Sequence, residues 1–198
     1  MGYIPSDVGI HENAARTLEY AFNDWTIYKL AQELDRPQEE IERFRKRSQN
    51  YRNLFDPEHN LMRGKKENGE FESPFNPFKW GGNFTEGGSW HYTWSVFHDV
   101  QGLINLMGGK DTFVSMLDST FTQPPVWDES YYGMTIHEIR EMQIVNMGQY
   151  AHGNQPIQHM IYLYNYAGAP WKAQYWARET MDRLYSPTPD GYPGDEDN

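Results

Sequence analysis

Apolar side chains spaced three and four apart, cut off at intervals by proline and glycine, constrain this chain more than any other feature. From His11 to Leu34, Ala14, Leu18, Ala21, Phe22, Trp25, Tyr28 and Ala31 fall on one face of a 3.6-residue period. That spacing predicts an amphipathic helix. Ser6 or Asp7 could cap it. Asp35-Arg36-Pro37 breaks the pattern. Pro37 suits the first position of a second helix, with Glu39 and Glu40 in its first turn. Ile41, Phe44, Ser48, Tyr51 and Phe55 carry that helix to Asp56-Pro57. Two helices joined by so short a turn make an αα-hairpin.

The same punctuation recurs downstream. Trp94, Phe97, Val100, Ile104 and Met107 predict a third helix, stopped by Gly108-Gly109 in a left-handed cap. Lys110 to Phe121 reads as a short fourth helix, and Ile136, Ile139 and Met142 as a helical turn interrupted at Gly148. Pro156 to Tyr166 reads as a helix closed by Gly168, and Pro170 opens the last one, through Leu184. No strand-like alternation is evident outside residues 56–82. In that long connection, Leu61-Met62-Arg63 and Phe71 could pair in a small hairpin around Asn68-Gly69. Loops of such length inside a domain are often functional. The expected fold is therefore all-α: consecutive αα-hairpins of the kind that close into an (α/α) barrel, or else an irregular helical bundle.

Composition narrows the function. With 28 acidic against 17 basic side chains the formal charge is −11, which opposes nucleic acid and an anionic membrane surface, and mildly favours a cation site. No cysteine is present, so disulfide, thiolate-metal and cysteine-nucleophile chemistries are closed. No apolar run reaches the length of a membrane span. The start at Met1-Gly2-Tyr3 shows no signal peptide. The end at Gly194-Asp195-Glu196-Asp197-Asn198 suggests a cut inside a larger protein.

The chemistry concentrates at 83–100, NFTEGGSWHYTWSVFHDV. Glu86 precedes Gly87-Gly88 and stands close to Trp90, Tyr92 and Trp94. Burial among such rings would raise a carboxyl pKa towards that of a general acid; a helix-capping Glu in an aromatic cluster is the plainer alternative. Asp195 and Asp197 form a second carboxylate group, and glycosidic cleavage needs two. A solvated acidic turn would look the same. The IHEIREM stretch sets His137-Glu138 beside Glu141, without the second histidine of the zinc-protease pattern. The oxygen-rich set of Glu138, Glu141, Asn154, Asp195 and Asp197 suits a hard cation such as calcium. His152 and His159, each alone in its segment, read as satisfied structural residues. Phosphate-loop and serine-hydrolase motifs are absent.

Taken together, RTLEYAFNDW (16–25), FTEGGSWHYTW (84–94), HDVQGLINLMGG (98–109), GQYAHGNQP (148–156), LYNYAGAPWK (163–172) and YSPTPDGYPGDEDN (185–198) resemble glycoside hydrolase family 92, the calcium-dependent exo-α-mannosidases. The resemblance runs over nearly the whole chain. It implies that residues 1–198 are part of one (α/α)6-barrel catalytic domain, with an N-terminal β-sandwich and the rest of the barrel lying outside the chain and packing against it. It implies an inverting mechanism on a mannose-containing oligosaccharide such as an N-glycan, in a secreted, periplasmic or cell-surface parent. Glu86 corresponds to the general acid. Asp195 and Asp197 correspond to the base, or to base plus metal support. Ca²⁺ would hold the mannose O2 and O3, with Glu141 and Asp197 as ligands. His137-Glu138 resembles the pair that grips the leaving sugar in α-1,2-cleaving members, and Trp90, Tyr92 and Asn154 would contact substrate. A non-catalytic carbohydrate-binding helical domain is the alternative. Two departures stand out: Gln155 where many relatives carry Glu, and Gly87-Gly88-Ser89 where Gly-Asn-Ala is more usual.

Overall fold

The computed structural model of the chain describes residues 1–189 and 191–194. Among them helices dominate, as the periodicity requires. Two compact units result, one of residues 1–77 with 81–99, the other of 78–80 with 100–194.

In the first unit, α1 (Asn13–Glu33) and α2 (Gln38–Arg47) form the expected hairpin. Helix α1 buries Ala14, Leu18, Ala21 and Ala31, and α2 adds the half-buried Ile41 and Phe44. The Arg47 Nε–H donates to Asp24 Oδ2 at 2.9 Å, and Asp24 is buried, so the pair ties the two helices at a charged point. Helix α2 stops eight residues earlier than its apolar spacing suggests. Ser48 Oγ–H donates back to Arg45 O at 2.7 Å, and the Ser48 carbonyl accepts from His98 Nε2–H at 2.8 Å, so the last turn finds its partners off the helical ladder. The chain continues as a 3₁₀ helix, Asn50–Leu54, that buries Tyr51 and Leu54.

The hairpin expected around Asn68-Gly69 forms with different partners from those its sequence suggests. Leu61-Met62 (β2) pairs upstream with Phe55-Asp56 (β1), in register Phe55–Met62 and Asp56–Leu61. The turn between them is held by Asp56, whose carboxylate accepts from Arg63 Nη1, from His59 Nδ1 and from the Glu58 backbone N–H at 2.8–3.0 Å. The chain does turn back at Asn68-Gly69, but there Phe71 bridges Lys65 rather than 61–63, flanked by Lys66 N–H to Glu70 O at 2.8 Å and Glu72 N–H to Gly64 O at 2.9 Å. The helix expected over 94–107 is shorter than its spacing suggests, the regular helix α4 being Val100–Leu106. A separate single turn, Ser89–Tyr92 (α3), precedes it, and just after that turn the Thr93 hydroxyl donates to Ser89 O and accepts from Met62 N–H.

In the second unit, the Gly109 N–H reaches Ile104 O across the end of α4, with Gly108 and Gly109 both at positive φ, as the left-handed cap predicts. Helix α5 (Lys110–Thr122), α6 (His137–Val145) and α7 (Pro170–Leu184) follow. Residues Gln155–Asn165 form a 3₁₀ rather than an α-helix. This 3₁₀ helix buries Ile157, Met160, Ile161, Leu163 and Tyr164. The core of this unit is Trp80, Leu103, Ile104, Phe113, Leu117, Tyr150 and Tyr164, all within 1% of full burial.

Candidate active site

The loop bearing Glu86 is built from backbone hydrogen bonds. Its carbonyls cap α1: Gly82 O accepts from Glu12 N–H at 2.7 Å, and Asn83 O from Ala14 and Ala15 N–H at 3.0 and 3.1 Å. A helix start leaves such donors without intrahelical partners, and no side chain serves here. Ser6 and Asp7, the expected caps, are engaged elsewhere: Ser6 N–H bonds Lys65 O, and Asp7 Oδ1 accepts from Glu67 N–H. Asn83 is the hub. Its Oδ1 accepts from Asn13 Nδ2 at 3.0 Å, and its Nδ2 donates to Glu72. On either side of Glu86 the chain is pinned, for Thr85 O accepts from the Tyr92 hydroxyl at 2.7 Å and Gly87 O from Gly81 N–H at 2.9 Å. Gly88 N–H donates to His91 Nδ1 at 2.8 Å.

Glu86 itself is exposed and sits at φ 45°, a left-handed conformation uncommon for a non-glycine residue. The sequence argument expects it to be enclosed by rings. Instead the indoles of Trp90 and Trp94 turn into the core, at 8% and 0% exposure. Tyr92, half-buried, stacks on Phe84 with centroids 5.2 Å apart. Burial pushes its phenol up to about 12, helped by the negative charges of Glu12 and Glu86 and opposed by the bond to Thr85. Tyr92 and Thr85 line a cavity of about 380 Å³ with Glu12, Arg16, Glu19 and Tyr20.

The second unit assembles the other group. His137 opens α6 and faces two carboxylates of the same helix: Nε2 lies 3.2 Å from Glu138 Oε1, and Nδ1 lies 3.3 Å from Glu141 Oε1. A neutral imidazole has one N–H and can donate to only one of them. Both second oxygens, Glu138 Oε2 and Glu141 Oε2, are buried with no hydrogen-bond partner among the described residues. Gly153 lies against the Glu141 carboxylate: a Cβ there would overlap Oε2 and stand 2.8 Å from Gly194 Cα. Asn154, the next residue, is buried. So this structure brings together His137, Glu138 and Glu141, and sets Gly153 and Gly194 beside Glu141. Asp195 and Asp197, the expected base and metal ligand, lie outside the described residues.

Buried carboxylate oxygens without a hydrogen-bond partner among the described residues are the donors a hard cation takes, so the chemistry of Glu138 and Glu141 is compatible with the calcium expected from the sequence. Among the described residues, the group whose possible ligand atoms lie within reach of one ion is a different one, Asp56, Glu58 and His59. There the Asp56 oxygens are already taken by Arg63, His59 and backbone, and the cluster is a turn.

One set of contacts was not foreseen as a set. His152 is satisfied, as expected of a lone histidine, but its partners are two tyrosines: Nδ1 is 2.6 Å from the Tyr150 hydroxyl and Nε2 is 2.8 Å from the Tyr185 hydroxyl. The available signal was that GQYAHGNQP and YSPTPDGYPGDEDN are both motif segments.

The model of the glycosyl hydrolase family 92 catalytic domain matches residues 1–198. A family GH92 inverting mannosidase of Bacteroides thetaiotaomicron is 50% identical, with a TM-score of 0.82, over 100% of this chain and 27% of that one. A family GH92 α-mannosidase of the same organism, solved with mannoimidazole, is 38% identical with a TM-score of 0.83, over 98% of this chain and 25% of that one. An uncharacterized secreted glycosidase of Arthroderma benhamiae is 27% identical over 100% of this chain and 26% of its own length. The chain thus spans about a quarter of the length of these relatives.

Proposed function

Since the chain belongs to glycosyl hydrolase family 92, we propose that it is a segment of the (α/α)6-barrel catalytic domain of an inverting, calcium-dependent exo-α-mannosidase. The observation that carries this reading is the family match over every residue, joined to 50% identity with an inverting mannosidase. The substrate class is an α-mannosyl glycan such as an N-glycan, with α-1,2 linkages favoured through His137-Glu138. The protein acts outside the cytoplasm, in keeping with the secreted relative. No helix of the described residues is long and apolar enough to cross a membrane.

In this mechanism Glu86 protonates the departing glycosidic oxygen. Its exposure and its pinned neighbours suit a group that must meet substrate at a fixed height while its carboxyl stays reachable. Asp195, with Asp197, takes a proton from the water that attacks the opposite face. Tyr92 offers an apolar ring face beside the acid, and buried Trp90 supports the loop from beneath. His137 and Glu138 hold the leaving sugar, and Asn154 contacts the mannose. Glu141 and Asp197 would hold calcium, which when bound polarises sugar hydroxyls and favours ring flattening. Inversion makes the first-formed product the β-anomer.

The test is Glu86→Gln in the full-length protein. With a poor leaving group, mannose release should fall roughly 100- to 10,000-fold. An activated aryl mannoside, which needs no proton, should lose far less. Unchanged turnover of the poor substrate refutes the assignment. Binding of mannobiose without any product would instead indicate a carbohydrate-binding domain.

A further inference from the structure

The segment that leads into the Asp195-Glu196-Asp197 stretch is held at two points. Tyr185, the first residue after α7, is hydrogen-bonded through its hydroxyl to His152 Nε2, while the opposite ring nitrogen meets Tyr150. Nine residues on, Gly194 lies so close to Gly153 that a Cβ on Gly194 would stand 2.7 Å from the Gly153 carbonyl carbon, and nearer still to its Cα and oxygen. Between these points the loop closes on itself, with Ser186 N–H to Gly191 O at 3.0 Å, Gly191 N–H to Thr188 O at 2.9 Å, and the Ser186 and Thr188 hydroxyls 2.7 Å apart. Both anchors sit on consecutive residues, His152 and Gly153. Behind them Tyr150 is fully buried, its ring 4.8 Å from Phe121 of α5. The anchor therefore stands on the core of the unit.

We infer that His152 is a positioning residue for the proposed reaction: through Tyr185 it holds the described part of the segment, 185–189 and 191–194, that leads to the carboxylates proposed to activate water. The inference rests on the function proposed above. Both ring nitrogens are occupied by phenol oxygens, so the imidazole cannot rotate without breaking a bond. Burial also holds the His152 pKa down, so the ring stays neutral, donating to one tyrosine and accepting from the other. The arrangement is a rigid strut from core to loop, and no substrate contact is needed for it to act.

The experiment uses His152→Ala, His152→Gln and Tyr185→Phe in the full-length protein, with Glu86→Gln alongside. If the strut places the base, Tyr185→Phe and His152→Ala lower kcat by roughly 10- to 100-fold, equally for activated and poor leaving groups, because water activation is required with either. KM should stay within about twofold of wild type, and His152→Gln, which keeps hydrogen-bonding capacity, should recover part of the rate. Limited proteolysis within 186–191 should accelerate several-fold in the first two variants, a readout independent of activity. The inference is overturned if cleavage at 186–191 is unchanged. It is also overturned if kcat falls only for poor leaving groups, or only in proportion to lost thermal stability. Should Glu86→Gln keep full activity on the poor substrate while cleavage at 186–191 responds as expected, the proposed mechanism fails and the strut stands.

Discussion

Gly194→Ala is the substitution whose effect follows most directly from the geometry. Gly194 has φ +81°, where a side chain costs about 1–2 kcal/mol. A methyl would also meet the Gly153 backbone, 2.7 Å from its carbonyl carbon against an ordinary contact of 3.4 Å or more, so the two strands must part by at least about 0.7 Å. Gly153 cannot easily yield, because its own open side is filled by the Glu141 carboxylate. The segment 185–194 therefore moves. A displacement of that order costs roughly 10- to 100-fold in rate, or about 1.4–2.7 kcal/mol of barrier. Gly133→Ala is the control: φ is +69° and nothing lies within 4 Å of its would-be Cβ, so it carries the backbone strain alone. Urea denaturation and steady-state kinetics of both variants in the full-length protein separate the effects. Gly133→Ala should lose about 1–2 kcal/mol of stability with kcat intact; Gly194→Ala should lose rate as well. If the two behave alike in kinetics, the close approach of 153 and 194 does not govern the site.

Other expectations follow from the same structure. If Glu141 holds calcium as proposed, Glu141→Gln, by removing its charge, should weaken Ca²⁺ binding about tenfold or more by calorimetry; unchanged affinity would remove Glu141 from the ligand set. Asp56→Asn should cost about 3 kcal/mol, since the largely buried Arg63 would keep its bonds to Glu72 O but lose its carboxylate partner. Burial opposes ionisation of Asp56, but the bonds from Arg63, His59 and the Glu58 N–H outweigh it and hold its pKa below the usual carboxylate range. Its contribution is therefore present above about pH 4 and lost as pH falls through the lower folded value, so wild type and variant should converge in strong acid. His98 donates through Nε2 to Ser48 O, and its Nδ1 is buried without a partner among the described residues. Burial lowers its pKa, so stability should be full above about pH 6.5 and decline as pH drops towards the folded value. His98→Gln should flatten that decline. Tyr51→Phe, which deletes a 2.6 Å bond to Asp99 in the core, should cost about 1–2 kcal/mol by denaturation.

What could be read in the residues was whatever local spacing determines. α1, α5 and α7 fall within two residues of their apolar periods, and the Gly108-Gly109 stop is where its chemistry requires. What could not be read was decided by partners distant in sequence. Ser48 ends α2 with the help of His98, and Thr93, just after α3, is tied to Met62, 31 positions upstream. β2 pairs backwards because Asp56 recruits Arg63 and His59. The 3₁₀ helix at 155–165 was not legible, because its buried Ile157, Met160, Ile161 and Tyr164 keep the i, i+3, i+4, i+7 spacing of an α-helix. The candidate site shows the same division. His137, Glu138 and Glu141 are neighbours on one helix and could be proposed together from spacing. The roles of Glu86, Asp195 and Asp197 rest on resemblance, because no local pattern distinguishes an acid from a cap. The aromatic surroundings expected for Glu86 misled in a specific way: large indoles near a loop are drawn into the core by their area, leaving the loop's carboxylate outside.

The first turn of α1 owes its hydrogen bonds to carbonyls some seventy positions further along. During synthesis that turn must wait, frayed, until the later stretch has left the ribosome, and the later stretch gains its shape only by arriving there. The Glu86 loop and the opening helix thus take shape in one event. A lesion at Asn13 or Asn83 would loosen both at once.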